Sequence, residues 1–424
     1  MTDRVTNAWR AVVCLIVLSG ITAFHASVSA DDKPKTASVD PFAISAEDKL
    51  KVFESLWAAV NERYFDQKFN GVDWARIKEV YRPRIEAASN KIQLKELLQK
   101  MLDELHTSHL QLDFHSRVNT ERIKQDLPDE RIRGNFRYDP GLALKLIEGR
   151  WVVTAVRNES GAQVAGVQRG WILTNWNGQP YGPRFNGAFD LGEKISLRFI
   201  DLQDQQKDVT VAAKFYPVPN EQSERIARIL DRGALYLHFT EFGPGTNDWL
   251  EQRISENKTA AAVIIDLRGN GGGRLSVLRR CLEPLFKETT LLGEFRERNG
   301  KEPNLKVGGR GKSAYQGRVV VLIDEMSASA AEIFAAGIQE SKRGIVVGRQ
   351  SRGAVLGNVV HGLPSGFRVK IAIRDYQTAK GIRLEGLGVR PDEPVKITMK
   401  DFLENRDPDL ERTLELLGHQ TSTK

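Results

Sequence analysis

Ser329 stands where an apolar run gives way to a stretch of small residues. The run is Arg318-Val-Val-Val-Leu-Ile323, and the segment Met326-Ser-Ala-Ser-Ala-Ala-Glu-Ile-Phe-Ala-Ala-Gly-Ile-Gln339 follows it. The run predicts a buried strand of a parallel sheet. The segment predicts an amphipathic helix with Ile333, Phe334, Gly337 and Ile338 on its inner face. A serine at that junction meets outward-pointing N–H groups and the positive end of a helix dipole, which suits a nucleophile that generates negative charge. The plainer reading is a capping box, because Ser329-Ala-Ala-Glu332 has the spacing for a serine cap and a glutamate reaching back.

A second junction has the same form. Asp266-Leu-Arg-Gly-Asn-Gly-Gly-Gly273 follows an apolar run and precedes a helical pattern. Its glycines permit positive φ and close backbone approach, so their N–H groups could hold an anion or oxyanion; a tight packing turn is the alternative. A dinucleotide or phosphate loop is disfavoured by the spacing and by the absence of a following Lys-Ser/Thr. His106-Thr-Ser-His109 is expected to put two imidazoles on one helix face, near enough to share a metal, but no Glu-x-x-His partner accompanies them. No metal and no cofactor is expected. Cys281 falls in a helical pattern over residues 275–283, where a buried small hydrophobe is expected in preference to a nucleophile.

The elements that must position these groups are legible in outline. The chain has 424 residues, enough for two or three domains, with 41% hydrophobic residues as in globular proteins. A net charge of +7 without basic clusters interleaved with aromatics disfavours nucleic-acid binding. Arg4 and Arg10, an apolar stretch over residues 11–24 and Val28-Ser29-Ala30 have the form of a secretory signal spanning residues 1–30. The apolar part is short for a membrane span, so an exported protein, periplasmic or extracellular, without stable membrane insertion is expected; an uncleaved anchor is the alternative. A polar leader covers residues 31–43 and a helical pattern residues 44–115. A strand-rich module spans 136–217, with an Asn177-Gly178 turn, and alternating strands and helices over 223–396 predict an α/β core. Residues 397–424 are a tail or helix.

Together the two junctions resemble those of the carboxyl-terminal processing proteases and tricorn-core serine peptidases. Glu385-Gly-Leu-Gly-Val-Arg-Pro-Asp392 resembles that family's closing motif, and residues 162–178 resemble the second half of a PDZ domain. The resemblance implies a Clp-protease/crotonase-like core with an N-terminal helical domain and an inserted PDZ-like module. It implies Ser329 as nucleophile and an oxyanion hole from Ala330 with one glycine of Gly271, Gly272 and Gly273, the first two preferred. The lysine that many relatives use as base is replaced here by Ala354, and Arg352 cannot serve, since guanidinium keeps its proton. The tricorn branch carries a Thr-Ser-His segment, matched here by Thr107-Ser108-His109, which implies His109 as base with Ser108 and Glu385 orienting it; His106 and His361 are the other histidines considered. The implied activity is an exported serine endopeptidase acting through an acyl-enzyme on polypeptides. C-termini would be selected at a carboxylate-binding turn formed by Gly141, Leu142, Ala143 and Leu144. Homo-oligomerisation is left open. A non-catalytic binding protein on the same fold, or hydrolysis of an ester or lactam, are the rival readings.

Overall fold

The computed structural model describes residues 42–114, 136–182, 194–212, 214–217, 225–301 and 304–418. The expected signal segment, and the leader apart from its last two residues, lie outside them. Among the described residues no helix is long and apolar enough to cross a membrane.

The centre is a six-stranded sheet. Its strands run in the order Arg225–Leu230, Ala234–Phe239, Ala262–Asp266, Arg318–Ile323, Ile345–Gly348 and Glu393–Pro394. The first pair is antiparallel and every later pair is parallel. A parallel strand must be covered on both faces, which is why Ala262–Asp266 is buried at every position. Alternate residues feed two cores. Leu235, Leu237, Val263, Ile265, Val319 and Val321 face the helices Leu275–Leu282 and Ala330–Glu340, whereas Tyr236, Ile264, Val320 and Leu322 pack with Leu410, Leu414 and Leu417 of the C-terminal helix Pro408–Gly418. The Ala330–Glu340 helix departs from the amphipathic expectation, being buried from Ala330 through Ile338. Its small residues allow this, and Gly337 lies so near Leu292 that an added Cβ would stand 2.7 Å from Cδ2.

A second sheet is built on the long strand Phe367–Thr378. It pairs with Gln111–Phe114, Thr290–Glu297 and Gly357–Gly362. The three helices Ala46–Arg63, Trp74–Glu86 and Lys91–Asp103 pack on this strand, so Phe53, Leu98 and Leu102 share one core with Phe367, Val369 and Ile371. The helical region is thereby welded to the α/β part, and the chain leaves it through a strand, Gln111–Phe114. The third sheet is an antiparallel meander of Leu142–Ile147, Arg150–Val156, Ile172–Trp176, Lys194–Ile200 and Gln206–Ala212, with the short helix Gly161–Val164 beside it. Asn177 and Gly178 both have positive φ (46° and 76°), as a two-residue hairpin turn requires.

Phe367 is 1% exposed and meets Phe114 with ring centroids 5.1 Å apart, at the seam between helices and sheet. Phe367→Ala should therefore cost about 3–5 kcal/mol in urea denaturation; a loss below about 1 kcal/mol would show that the seam is not a continuous core.

Candidate active site

Three turns converge at the carboxyl edge of the central sheet, where open α/β sheets place their sites. They are residues 267–273 after Ala262–Asp266, residues 324–329 after Arg318–Ile323, and residues 349–355 after Ile345–Gly348.

Ser329 has φ 57° and ψ −119°. A helix-capping residue is ordinarily extended, whereas this backbone conformation is one that few residues other than glycine adopt and that costs of order 1–3 kcal/mol. Its N–H donates to the Ala354 carbonyl at 2.8 Å and to Glu332 Oε2 at 2.9 Å. The Glu332 half of the expected capping box is thus present, but the carboxylate does more. Its Oε1 accepts from Ser351 Oγ at 2.6 Å and Gly353 N at 2.7 Å, and Oε2 from Ala354 N at 2.8 Å. Burial pushes the Glu332 carboxyl up from the ordinary glutamate value while these donors pull it down. The sequence signalled only the cap.

The glycine turn closes directly on the serine. Gly272 has φ +100°, and a Cβ added there would lie 2.6 Å from Ser329 Cβ and 3.0 Å from Ala330 N. The expectation of Gly272 as an oxyanion donor is corrected by its own hydrogen bond: its N–H donates to Asn270 Oδ1 at 2.9 Å. Among the described residues neither the Gly271 nor the Ala330 N–H has an acceptor, so these two remain open to a ligand.

Ser108, His109 and Glu385 form one hydrogen-bonded group. Glu385 Oε1 accepts from Ser108 N at 2.8 Å, and Oε2 accepts from Ser108 Oγ at 3.0 Å and from Val355 N at 3.0 Å. Ser108 Oγ lies 2.6 Å from His109 Nδ1. A hydroxyl has one proton; with that proton given to Glu385, His109 Nδ1 must be the donor to Ser108 Oγ, leaving Nε2 as a lone-pair base. Burial, reinforced by the positive charges of Lys370 and Arg352, lowers the His109 pKa to about 4. Burial pushes Glu385 up from the ordinary value, against the pull of the Ser108 and Val355 N–H groups.

The turn that carries His109 is braced from the helical region. Tyr64 Oη donates to Thr107 Oγ1 at 3.1 Å and Asn70 Nδ2 to the Leu105 carbonyl at 2.8 Å. Gln99 joins the Leu110 carbonyl and the Leu112 N–H at 3.0 and 2.8 Å. The helix ends at Asp103, and His106 and His109 both have positive φ (51° and 60°). The pair therefore does not share a helix face, which corrects the geometry on which a shared metal was considered. His361 lies on the strand Gly357–Gly362 opposite Val369, outside this group.

Consecutive residues link the two halves of the site: the Ala354 carbonyl holds Ser329, and the Val355 N–H holds Glu385. A cavity of about 440 Å³ opens here, lined by Ser329, Gly273, Leu275, Phe295, Ile333 and Val355 among others. Cys281 is buried in its helix, where burial pushes the thiol well above its ordinary pKa. Gly141 has φ +83°, its carbonyl accepts from Arg157 N at 2.8 Å, and Leu142, Ala143 and Leu144 open the edge strand of the third sheet.

Residues 233–395 match the model of peptidase family S41, and residues 45–103 that of the tricorn protease C1 domain. The chain is 25% identical over 403 residues to a protein named putative tricorn protease homolog 2 from Streptomyces coelicolor, covering 89% of this chain and 32% of that protein. It thus spans about a third of that relative's length. It is 24% identical to a protein named chloroplastic C-terminal processing peptidase from Tetradesmus obliquus, covering 84% of this chain and 79% of that one. Among solved structures, the fold resembles the photosystem II D1 C-terminal processing protease (TM-score 0.57, 20% identity, 89% and 99% of the chains). It also resembles mature CPAF complexed with lactacystin (TM-score 0.62, 13% identity, 88% and 99%). With a tricorn C1 match ahead of the α/β core and a serine at its strand-to-helix elbow, the chain is a serine-type peptidase whose residues 233–395 carry the S41 match.

Proposed function

We propose that this chain is an exported endopeptidase that cleaves polypeptides through an acyl-enzyme on Ser329. The observation that carries the reading is the Glu385–Ser108–His109 hydrogen-bond series, which orients a neutral imidazole beside the backbone that holds the serine elbow. Ser329 Oγ attacks the peptide carbonyl carbon as His109 Nε2 takes its proton, and the oxyanion accepts from Ala330 and Gly271 N–H. The C–N bond then breaks and His109 gives the proton to the leaving amine. Water, deprotonated by His109, cleaves the acyl ester, releasing the acid and restoring Ser329. Glu385, acting through Ser108, offsets the positive charge that His109 gains, which Arg352 and Lys370 oppose.

The apolar lining beside Ser329 supports a preference for an apolar side chain next to the scissile bond. The β-rich module supports a PDZ-like role: its edge strand Leu142–Ile147 follows the Gly141 turn and is suited to strand addition by a peptide C-terminus. Export rests on the basic and apolar pattern of residues 1–30.

Ser329→Ala should abolish peptide hydrolysis and labelling by a fluorophosphonate while the wild-type chain labels at Ser329; a wild-type serine that stays unlabelled points to a ligand-binding protein instead. Because the base works unprotonated and its pKa lies near 4, kcat/KM should hold through pH 5–6 and fall with a midpoint near 4. A midpoint at or above about 6.5, the ordinary histidine value, contradicts that environment. The sign for stability is the same: the unfolded chain takes up this proton first, so His109 lowers stability as pH falls from about 6.5 toward the folded value. Gly272→Ala should cut kcat by about 100-fold or more, the scale of a disrupted oxyanion site; an unchanged kcat would show that the turn does not bear on Ser329.

A further inference from the structure

The two turns that flank Ser329 each carry a guanidinium, and both guanidinia end on one buried carboxylate. Arg349 Nη1 donates to Asp409 Oδ1 at 2.6 Å and Oδ2 at 2.8 Å. Arg268 Nη1 donates to Asp409 Oδ2 at 2.9 Å. Arg268 belongs to the glycine turn and is also held by Asp266 and Asp407. Arg349 opens the segment that delivers Ser351, Gly353 and Ala354 to Glu332, the Ala354 carbonyl to Ser329 and the Val355 N–H to Glu385. Asp409 itself is 0% exposed and stands in the first turn of the helix Pro408–Gly418, beyond the residues matched to family S41.

We propose that Asp409 is a positioning residue for hydrolysis, holding the oxyanion turn and the 349–355 segment at a fixed separation across Ser329. A carboxylate with no solvent must be paired, and here the pairing is shared between the two walls of the site, so a shift of either wall strips this buried charge of one of its two guanidinium partners. The helix does not need this carboxylate to dock, since Leu410, Leu414 and Leu417 bury it against the far face of the sheet. The carboxylate acts instead on what lies above it. Asp407 differs, since Arg268 is the one guanidinium it pairs with, its Oδ1 also accepts from Leu410 N at 3.2 Å, and its side chain is 40% exposed.

The inference rests on the peptidase reading, and the experiment separates the two. Full-length wild type, Asp409→Asn and Asp407→Asn are titrated with a fluorophosphonate to count competent sites, then assayed for kcat and KM on a peptide and for urea stability. Asp409→Asn should lose at least about tenfold in kcat per titrated site with KM within about threefold, and its labelling rate should fall in parallel. Asp407→Asn should stay within about threefold of wild type in both. Arg349→Gln, which leaves Asp409 paired with Arg268, should shift kcat in the same direction and carries the test if Asp409→Asn does not fold. The proposal is overturned if turnover per titrated site is unchanged in Asp409→Asn or, where that variant does not fold, in Arg349→Gln. It is equally overturned if the loss lies wholly in KM or in the folded fraction. A wild-type chain that hydrolyses nothing and does not label overturns the peptidase reading, and this inference with it.

Discussion

Everything at this site depends on one carboxylate out of water. Glu332 is 0% exposed and takes hydrogen bonds from Ser329 N, Ser351 Oγ, Gly353 N and Ala354 N. A buried carboxyl is tolerated when its lone pairs are filled, and filling them fixes the relative placement of the serine elbow and the segment beside it. The backbone strain at Ser329 persists because the surroundings over-determine it. Ala354, at the position where the family resemblance implies a lysine, contributes only main-chain groups, one to Glu332 and one to Ser329. The segment is thus a scaffold, and the imidazole of the site comes from another part of the chain.

That other part is brought in by packing. The helices that precede His109 bury their apolar faces on Phe367–Thr378, a strand of the α/β half, and the turn bearing His109 is then tied down by Tyr64, Asn70 and Gln99. A polar turn could not hold an imbalanced geometry in solvent on its own. Side chains from three different helical and loop positions supply what the local sequence lacks. The lowered basicity of His109 follows from the same enclosure, with two cations adding to it.

The parts legible in the sequence are those with local signatures. The strand-to-helix elbow at Ser329 shows as an apolar run meeting small residues, and the glycine turn shows as 269–273 after another such run. The strand read from the apolar run at residues 318–323 is present, and the helical pattern over 275–283 forms the helix Leu275–Leu282. Strands without an unbroken run of apolar residues were not legible: Arg225–Leu230 is an exposed edge interrupted by Arg228, and Gly357–Gly362 is bounded by glycines. His109 is legible only through resemblance, because a positive-φ turn after a helix has no periodicity. The donors from Val355 N and Ala354 N were not legible at all, since main-chain groups are common to every residue. Gly272 illustrates the remaining gap. Its residue type suggested a free donor, while the competing acceptor two residues earlier, Asn270, is revealed only by the turn's conformation.

The Ser108–Glu385 contact spans 277 positions of the chain. During synthesis, the serine elbow at 329 emerges well before the carboxylate at 385, and the imidazole waits longest for its orienting partner. A growing chain therefore carries the elbow at Ser329 without the Ser108–Glu385 contact until nearly the whole polypeptide has been made.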